Sequence, residues 1–203
     1  MGRQASGVRG GSQPGDSNKK STDIKNIEPL INIKDPQVYK SVKEAINRYH
    51  SVLGVRQREI KLADLSKETL GVHVTKNGNS AGVYINKDLF KNGNKQEIIT
   101  KQTRGYKSGW ATQTNKPIAH TVTHELGHAT WNEHLTSAKH KAAGKEINKL
   151  YNTWKKDKTK TGYGKYASHN VSEFWAETVT KAVHGTADKY TREVKRIVKK
   201  YKL

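Results

Sequence analysis

The stretch His120-Thr-Val-Thr-His124-Glu125-Leu-Gly-His128 places a histidine at every fourth position. On a helix, a spacing of four returns side chains to nearly the same face, so the three imidazoles form one column. Ile118, Val122, Leu126 and Ala129 occupy another side of the same segment. Such a helix has to be covered twice, by a hydrophobic layer on one flank and by groups that satisfy or ligate the ring nitrogens on the other. Any fold this chain adopts has to meet both demands.

The surroundings of that segment read as one mixed domain. Residues 1–28 are poor in apolar side chains and rich in Gly, Ser, Gln, Asn and Lys, the composition of a disordered basic tail; residues 29–203 form the domain. Asp35-Pro36 followed by Val38, Val42, Ala45/Ile46, Tyr49 and Val52/Leu53 predicts a first helix. Alternation from Glu59, the run from Gly71, a turn at 76–80 and the apolar run from Ala81 predict a small sheet with a hairpin, in which His73 is structural. Residues 91–117, polar and holding Gly-Tyr-Lys-Ser-Gly-Trp, read as a long loop. Helices are expected over 117–135, 136–157, 170–184 and 190–202, the second and last lysine-rich.

Composition limits the chemistry. The 203 residues contain no cysteine, so a metal would be held by His, Asp or Glu. Thirty-eight Lys and Arg against eighteen Asp and Glu give a net charge of +20, which favours anionic partners, nucleic acid among them, or is simply a solvated lysine-rich surface. No run approaches a membrane span and residues 1–28 lack the apolar core of a secretory signal, so a soluble monomer is expected.

His124-Glu125-Leu-Gly-His128 matches H-E-x-x-H, which on a helix aims two imidazoles at one Zn²⁺ and sets the glutamate beside the metal's water. A third protein ligand is needed, and three residues compete. His134 stands where a metzincin supplies its third histidine, but Trp131 replaces the required Gly and Met1 is the only methionine. His120 lies one turn before the motif, where a supporting or surface role suits it better. Glu173 and Glu177 share a face of a later helix in Tyr166-Ala-Ser-His-Asn170-Val-Ser-Glu173-Phe-Trp-Ala-Glu177; alternatively Asn170-Val-Ser-Glu173 is a capping box in which the glutamate bonds only backbone.

That run resembles the Y-x-x-x-N-x-x-E-F-[FW]-A-E segment of the anthrax lethal factor-like peptidases, a gluzincin group, and of zincin domains in phage minor head proteins and bacterial toxins. The resemblance covers roughly residues 80–190, and the forty-four residues between His128 and Glu173 are similar to the long gap of that group. It implies a zincin-like α+β metallopeptidase domain, a small mixed sheet packed on the HELGH helix with a helical C-terminal half. By the same resemblance His124, His128 and Glu173 are zinc ligands, Glu125 is the general base, Tyr166 a hydroxyl facing the scissile carbonyl, and Glu177 the residue that orients a ligand. The expected function is therefore a zinc endopeptidase, phage-borne or a delivered toxin, packaged in a virion or leaving its cell by a non-classical route. Its substrate is a peptide or protein, acidic by charge complementarity, lying on the strand Gly82-Val-Tyr-Ile if that strand is an edge. The alternative is a non-catalytic basic protein of a virion or of nucleic acid on the same scaffold; a metal-dependent hydrolase of another substrate comes third.

Overall fold

Asp35 starts the first helix, its side chain accepting the N–H groups of Gln37 and Val38 while Pro36 takes a position where a missing N–H is harmless. Helix α1 (Pro36–Leu53) then buries Val38, Val42, Ala45, Ile46, Tyr49 and Leu53, and stops at Gly54 with φ +72°. The computed structural model describes residues 24–55, 58–77, 79–92 and 95–203. Most of the segment read as a tail, residues 1–23, lies outside the described residues. Its expected boundary at residue 28, however, falls inside strand β1 (Lys25–Pro29). β1 holds a sheet edge through backbone pairing with β2 and needs few apolar side chains to do so.

The architecture is mixed α+β, with one four-stranded sheet in the order β1-β2-β4-β3, where β2 is Ile60–Asp64, β3 Gly71–Lys76 and β4 Asn79–Asn86. β2 pairs parallel with β4, and β3 antiparallel with β4. Val83 is therefore matched to Ile60 on one side and to His73 on the other. The strand Gly82-Val-Tyr-Ile is thus interior, and β3 is the outer strand on that side. The parallel crossover from β2 sends the hairpin back so that its second arm, and not its first, lies in the middle.

A short helix, α2 (Lys87–Lys91), follows β4, and about half of the segment expected as a long loop is instead helix α3 (Lys95–Lys107). α3 buries Ile98, Lys101, Gln102 and Gly105. These residues follow the spacing of a helix face, but only one is strongly apolar, so hydrophobic periodicity does not reveal it. Lys101 is 7% exposed because its Nζ turns out to donate to the Lys67 carbonyl and pairs with Glu68 at 3.7 Å and Glu97 at 3.6 Å.

Helix α4 (Pro117–Thr130) carries the histidine column and is buried from Ile118 to Thr130, packed against α1, α3, β3, β4 and α6. A π-helical turn (Trp131–Leu135) continues it, and a short 3₁₀ turn (Ala138–His140) precedes α5 (Lys141–Lys156), so the helix expected from 136 begins five residues later. α6 spans Val171–His184 and α7 Lys189–Tyr201. Trp154 and Phe174, with ring centroids 5.1 Å apart, join Tyr151 and Tyr190 in a second core under α5, α6 and α7. No helix among the described residues is long and apolar enough to cross a membrane.

α4 and α6 meet at their closest where Gly127 faces Ala176: a Cβ on Gly127 would stand 2.9 Å from the Ala176 Cα. Trp175 Nε1 donates to the Gly127 carbonyl at 2.9 Å, and at the far end of the contact the Thr123 hydroxyl lies 2.8 Å from His184 Nε2. Burial, with Arg48 as the next contributor, holds the His184 imidazole down to about 4, below its ordinary 6.5. Folding therefore keeps His184 neutral, while the unfolded chain takes up a proton between pH 6.5 and about 4. Stability falls as pH drops through that window. In urea titrations with chelator present, wild type is expected to lose about 2 kcal/mol more between pH 7 and 4.5 than His184→Asn, a group of similar polarity that does not titrate.

Candidate metal centre

The spacing of His124 and His128 brings their rings together on one face of α4, with centroids 4.7 Å apart. The third donor comes from the first turn of α6. Asn170 caps that helix by accepting the Glu173 N–H at 2.9 Å, which sets the backbone of Glu173 and leaves its carboxylate free to turn inward. The cap and an inward carboxylate, rival readings of the sequence, therefore coexist. Glu173 Oε2 lies 3.3 Å from His124 Nε2 and 3.1 Å from His128 Nε2, and the two nitrogens are 3.1 Å apart. A tetrahedral ion with ligands at 2.0–2.1 Å would space its donors about 3.3 Å apart. The three edges of this triangle are close to that value.

The far side of each ligand is also engaged. His124 Nδ1 lies 2.9 Å from Glu177 Oε1, and His128 Nδ1 lies 3.0 Å from the Ser172 hydroxyl. A carboxylate only accepts, so the proton of His124 belongs on Nδ1 and the lone pair of Nε2 faces the centre. Glu177 in turn is held by the Thr112 N–H at 2.6 Å, with His120 Nε2 3.6 Å away. His120 Nδ1 and the Tyr106 hydroxyl are 3.1 Å apart. His120 is thus neither a surface residue nor part of the inner triangle; it lies behind Glu177, in a second group of possible donors made with His124 and Glu177.

Glu125 is 2% exposed, wedged between α4 and the start of β3, where a Cβ on Gly71 would come within 3.0 Å of its Cγ. Its Oε2 has no partner in the described structure. Burial raises the Glu125 carboxyl above its ordinary range, partly opposed by His124 and His128. The Tyr166 hydroxyl donates to the outer oxygen of Glu173, Oε1, at 2.9 Å. This contact steadies the carboxylate and places the hydroxyl expected to face a substrate carbonyl beside the Glu173 carboxylate. Tyr166 is fixed by backbone bonds from Lys165 to Gly109 at 2.8 Å and from Tyr166 to Trp110 at 2.9 Å. That approach requires Gly164, since a Cβ there would overlap the Trp110 carbonyl oxygen at 2.1 Å.

Three carboxylates, Glu125, Glu173 and Glu177, lie within this buried region at 0 to 2% exposure. Burial alone would push Glu173 and Glu177 up and His124 down, but their mutual contacts win: both acids are held low and His124 well above its ordinary value. The cluster draws positive charge to itself. A metal cation between the three converging donors would supply it, and the donor set fits one; a buried group of this charge without a counterion is costly.

His134 takes no part in the triangle; it packs its ring on His140, 5.3 Å between centroids, in the π-helical turn beyond α4. His73 is fully buried, its ring nitrogens 2.9 Å from the Ser80 hydroxyl and 3.2 Å from the Asn132 amide. Ser172, Thr112 and Tyr106 escaped the sequence reading. Ser172 had a signal, one residue before Glu173; Thr112 and Tyr106 lay in the segment taken for loop.

Removing the Glu177 carboxylate should loosen His124, so Glu177→Gln is expected to weaken metal-ion binding, with Zn²⁺ as the probe, by about 10- to 100-fold in competition with a chromophoric chelator. Gly127→Ala should force α4 and α6 apart, destabilising the fold by roughly 1–3 kcal/mol in urea and also weakening metal binding. Comparison with protein-family models, with curated proteins and with solved structures found no match to this chain, so the reading of the site rests on its own geometry.

Proposed function

We propose that the chain is a zinc-dependent endopeptidase of the gluzincin type on a zincin-like α+β domain. The observation that carries this reading is the buried triangle of His124 Nε2, His128 Nε2 and Glu173 Oε2, with edges of 3.1 to 3.3 Å, beside a Glu125 oxygen without a partner. Two imidazoles and one carboxylate, with no thiolate, suit Zn²⁺. When bound, that ion supplies Lewis acidity, making water more acidic and polarising a carbonyl.

The chain's own groups do the rest. Glu125, whose pKa is raised by burial, accepts the proton of the attacking water and delivers it to the amine as the C–N bond breaks. Glu177 and Ser172 hold the two imidazoles in the orientation that keeps Nε2 inward. Tyr166 orients Glu173 and offers its hydroxyl to the developing oxyanion. The outer strand β3, which passes Glu125 at Gly71, is the strand suited to align an extended substrate. The charge of +20 supports acid-rich protein substrates.

Native mass spectrometry and a cleavage assay test the ligands and the base separately. Wild type and Glu125→Gln are expected to carry one zinc-sized mass, and Glu173→Gln to lose it. Cleavage of a denatured protein substrate should fall by about 10²- to 10⁴-fold in Glu125→Gln, and by less in Tyr166→Phe. Failure of wild type to retain metal would end the enzyme reading. Metal retained without cleavage, together with DNA affinity that falls steeply with salt, would favour a basic binding protein instead.

A further inference from the structure

Beside the triangle, a cavity of about 30 Å³ lies between the start of β3, α3 and α4. Its walls include Gly71, Gln102, Gly105, Ala111, Thr121 and Glu125. Two glycines and an alanine contribute almost no side chain to it. At Gly71 no larger residue fits, because a Cβ would lie 2.8 Å from Thr121 Cγ2. Roughly 10–15 Å³ of such space accommodates one water-sized group, so this cavity admits two or three non-hydrogen atoms.

Its polarity is equally restricted. Lys101 also lines the cavity, but its ammonium is directed away, to the Lys67 carbonyl and to Glu68 and Glu97. What faces inward from Lys101 is aliphatic stem. The Thr121 hydroxyl donates to Gln102 Oε1 at 3.4 Å, which occupies those two groups with each other. Among the residues that line it, the polar atoms without a hydrogen bond are Glu125 Oε2, an acceptor, and His124 Nδ1, which lies against Glu177. No free cation is presented to an acidic side chain, and no volume to a large apolar one.

Resting on the peptidase reading, we propose that this cavity takes the substrate side chain next to the scissile bond and restricts it to glycine, alanine or serine, with Ala111 and Gly105 setting the limit. His124 and Glu125 line the same space, so its occupant is within a residue of the reacting bond. The enzyme then combines two separate selections: acid-rich protein substrates by long-range charge, and a small residue at the cut by steric exclusion. The cavity selects by size.

The test uses binding, not turnover. The zinc-loaded full chain is titrated by calorimetry with a series of succinyl hydroxamates whose substituent, at the carbon matching the residue after the cut, is hydrogen, methyl, hydroxymethyl, isobutyl or benzyl. Wild type is expected to bind the first three with similar affinity and the last two roughly tenfold or more weakly. Ala111→Gly should recover isobutyl binding. Gly105→Ala, whose new Cβ would meet Ala111 Cβ at 3.4 Å without overlap, should weaken the methyl ligand while sparing hydrogen. Equal binding of benzyl and methyl ligands by wild type, a preference unmoved by Ala111→Gly, or no hydroxamate binding at all by metal-loaded protein would each overturn the proposal. The peptidase reading is judged apart from these results, by the zinc mass and by cleavage.

Discussion

The contact of Gly127 with Ala176 is the constraint on which the site depends. Two helices normally pack 8–10 Å apart, with side chains between them. Here one helix presents no side chain at the crossing and the other only a methyl, and Trp175 closes the gap by donating to the Gly127 carbonyl. One turn along from the crossing, His124 and His128 on α4 reach Glu173 on α6 at hydrogen-bond range. Wider spacing would leave the carboxylate short of both rings. The glycine inside HELGH therefore serves close approach of backbones and not flexibility.

Burial supplies the second half of the design. α4 is covered on its apolar flank by α1 and the sheet, through residues such as Val122 and Leu126, and on its imidazole flank by α6 and the 3₁₀ turn carrying Tyr166. Most polar groups taken out of water there lie against another: Glu177 beside His124 and bonded to Thr112, Ser172 beside His128, Tyr166 on Glu173. What remains is a concentration of carboxylate charge at the centre, with oxygens of Glu125 and Glu177 that no hydrogen bond satisfies. An environment of this kind strengthens every electrostatic interaction within it, which is why a cation there would be held tightly and would act strongly on its neighbours.

Much of the helical framework was legible in advance. Asp35-Pro36 marks the start of α1, and most of the periodic apolar residues of α1, α4 and α7 are buried, with Val52 and Tyr201 half-buried. The failures share one cause: structure held by backbone pairing or polar burial leaves no hydrophobic pattern. β1 has no buried position, with only Glu28 half-buried, yet it belongs to the sheet. α3 hides two polar residues, Lys101 and Gln102, in its buried stripe, and so reads as loop. The place of β4 inside the sheet depends on a crossover that no local spacing encodes.

Sequence by itself determined which residues could share a helix face: His124 with His128 and Glu125 close by, and Glu173 with Glu177 one turn further along another helix. A period of 3.6 is a local property, and local properties are written in order along the chain. Tertiary structure decided everything that depended on distance across the fold. It selected Glu173 over His134 as the third inner group, put His120 behind Glu177, turned Tyr166 onto Glu173 and closed a cavity beside Glu125. Those outcomes follow from how closely separate elements pack, and that closeness is set by side-chain volume at a few crossings such as Gly127 on Ala176.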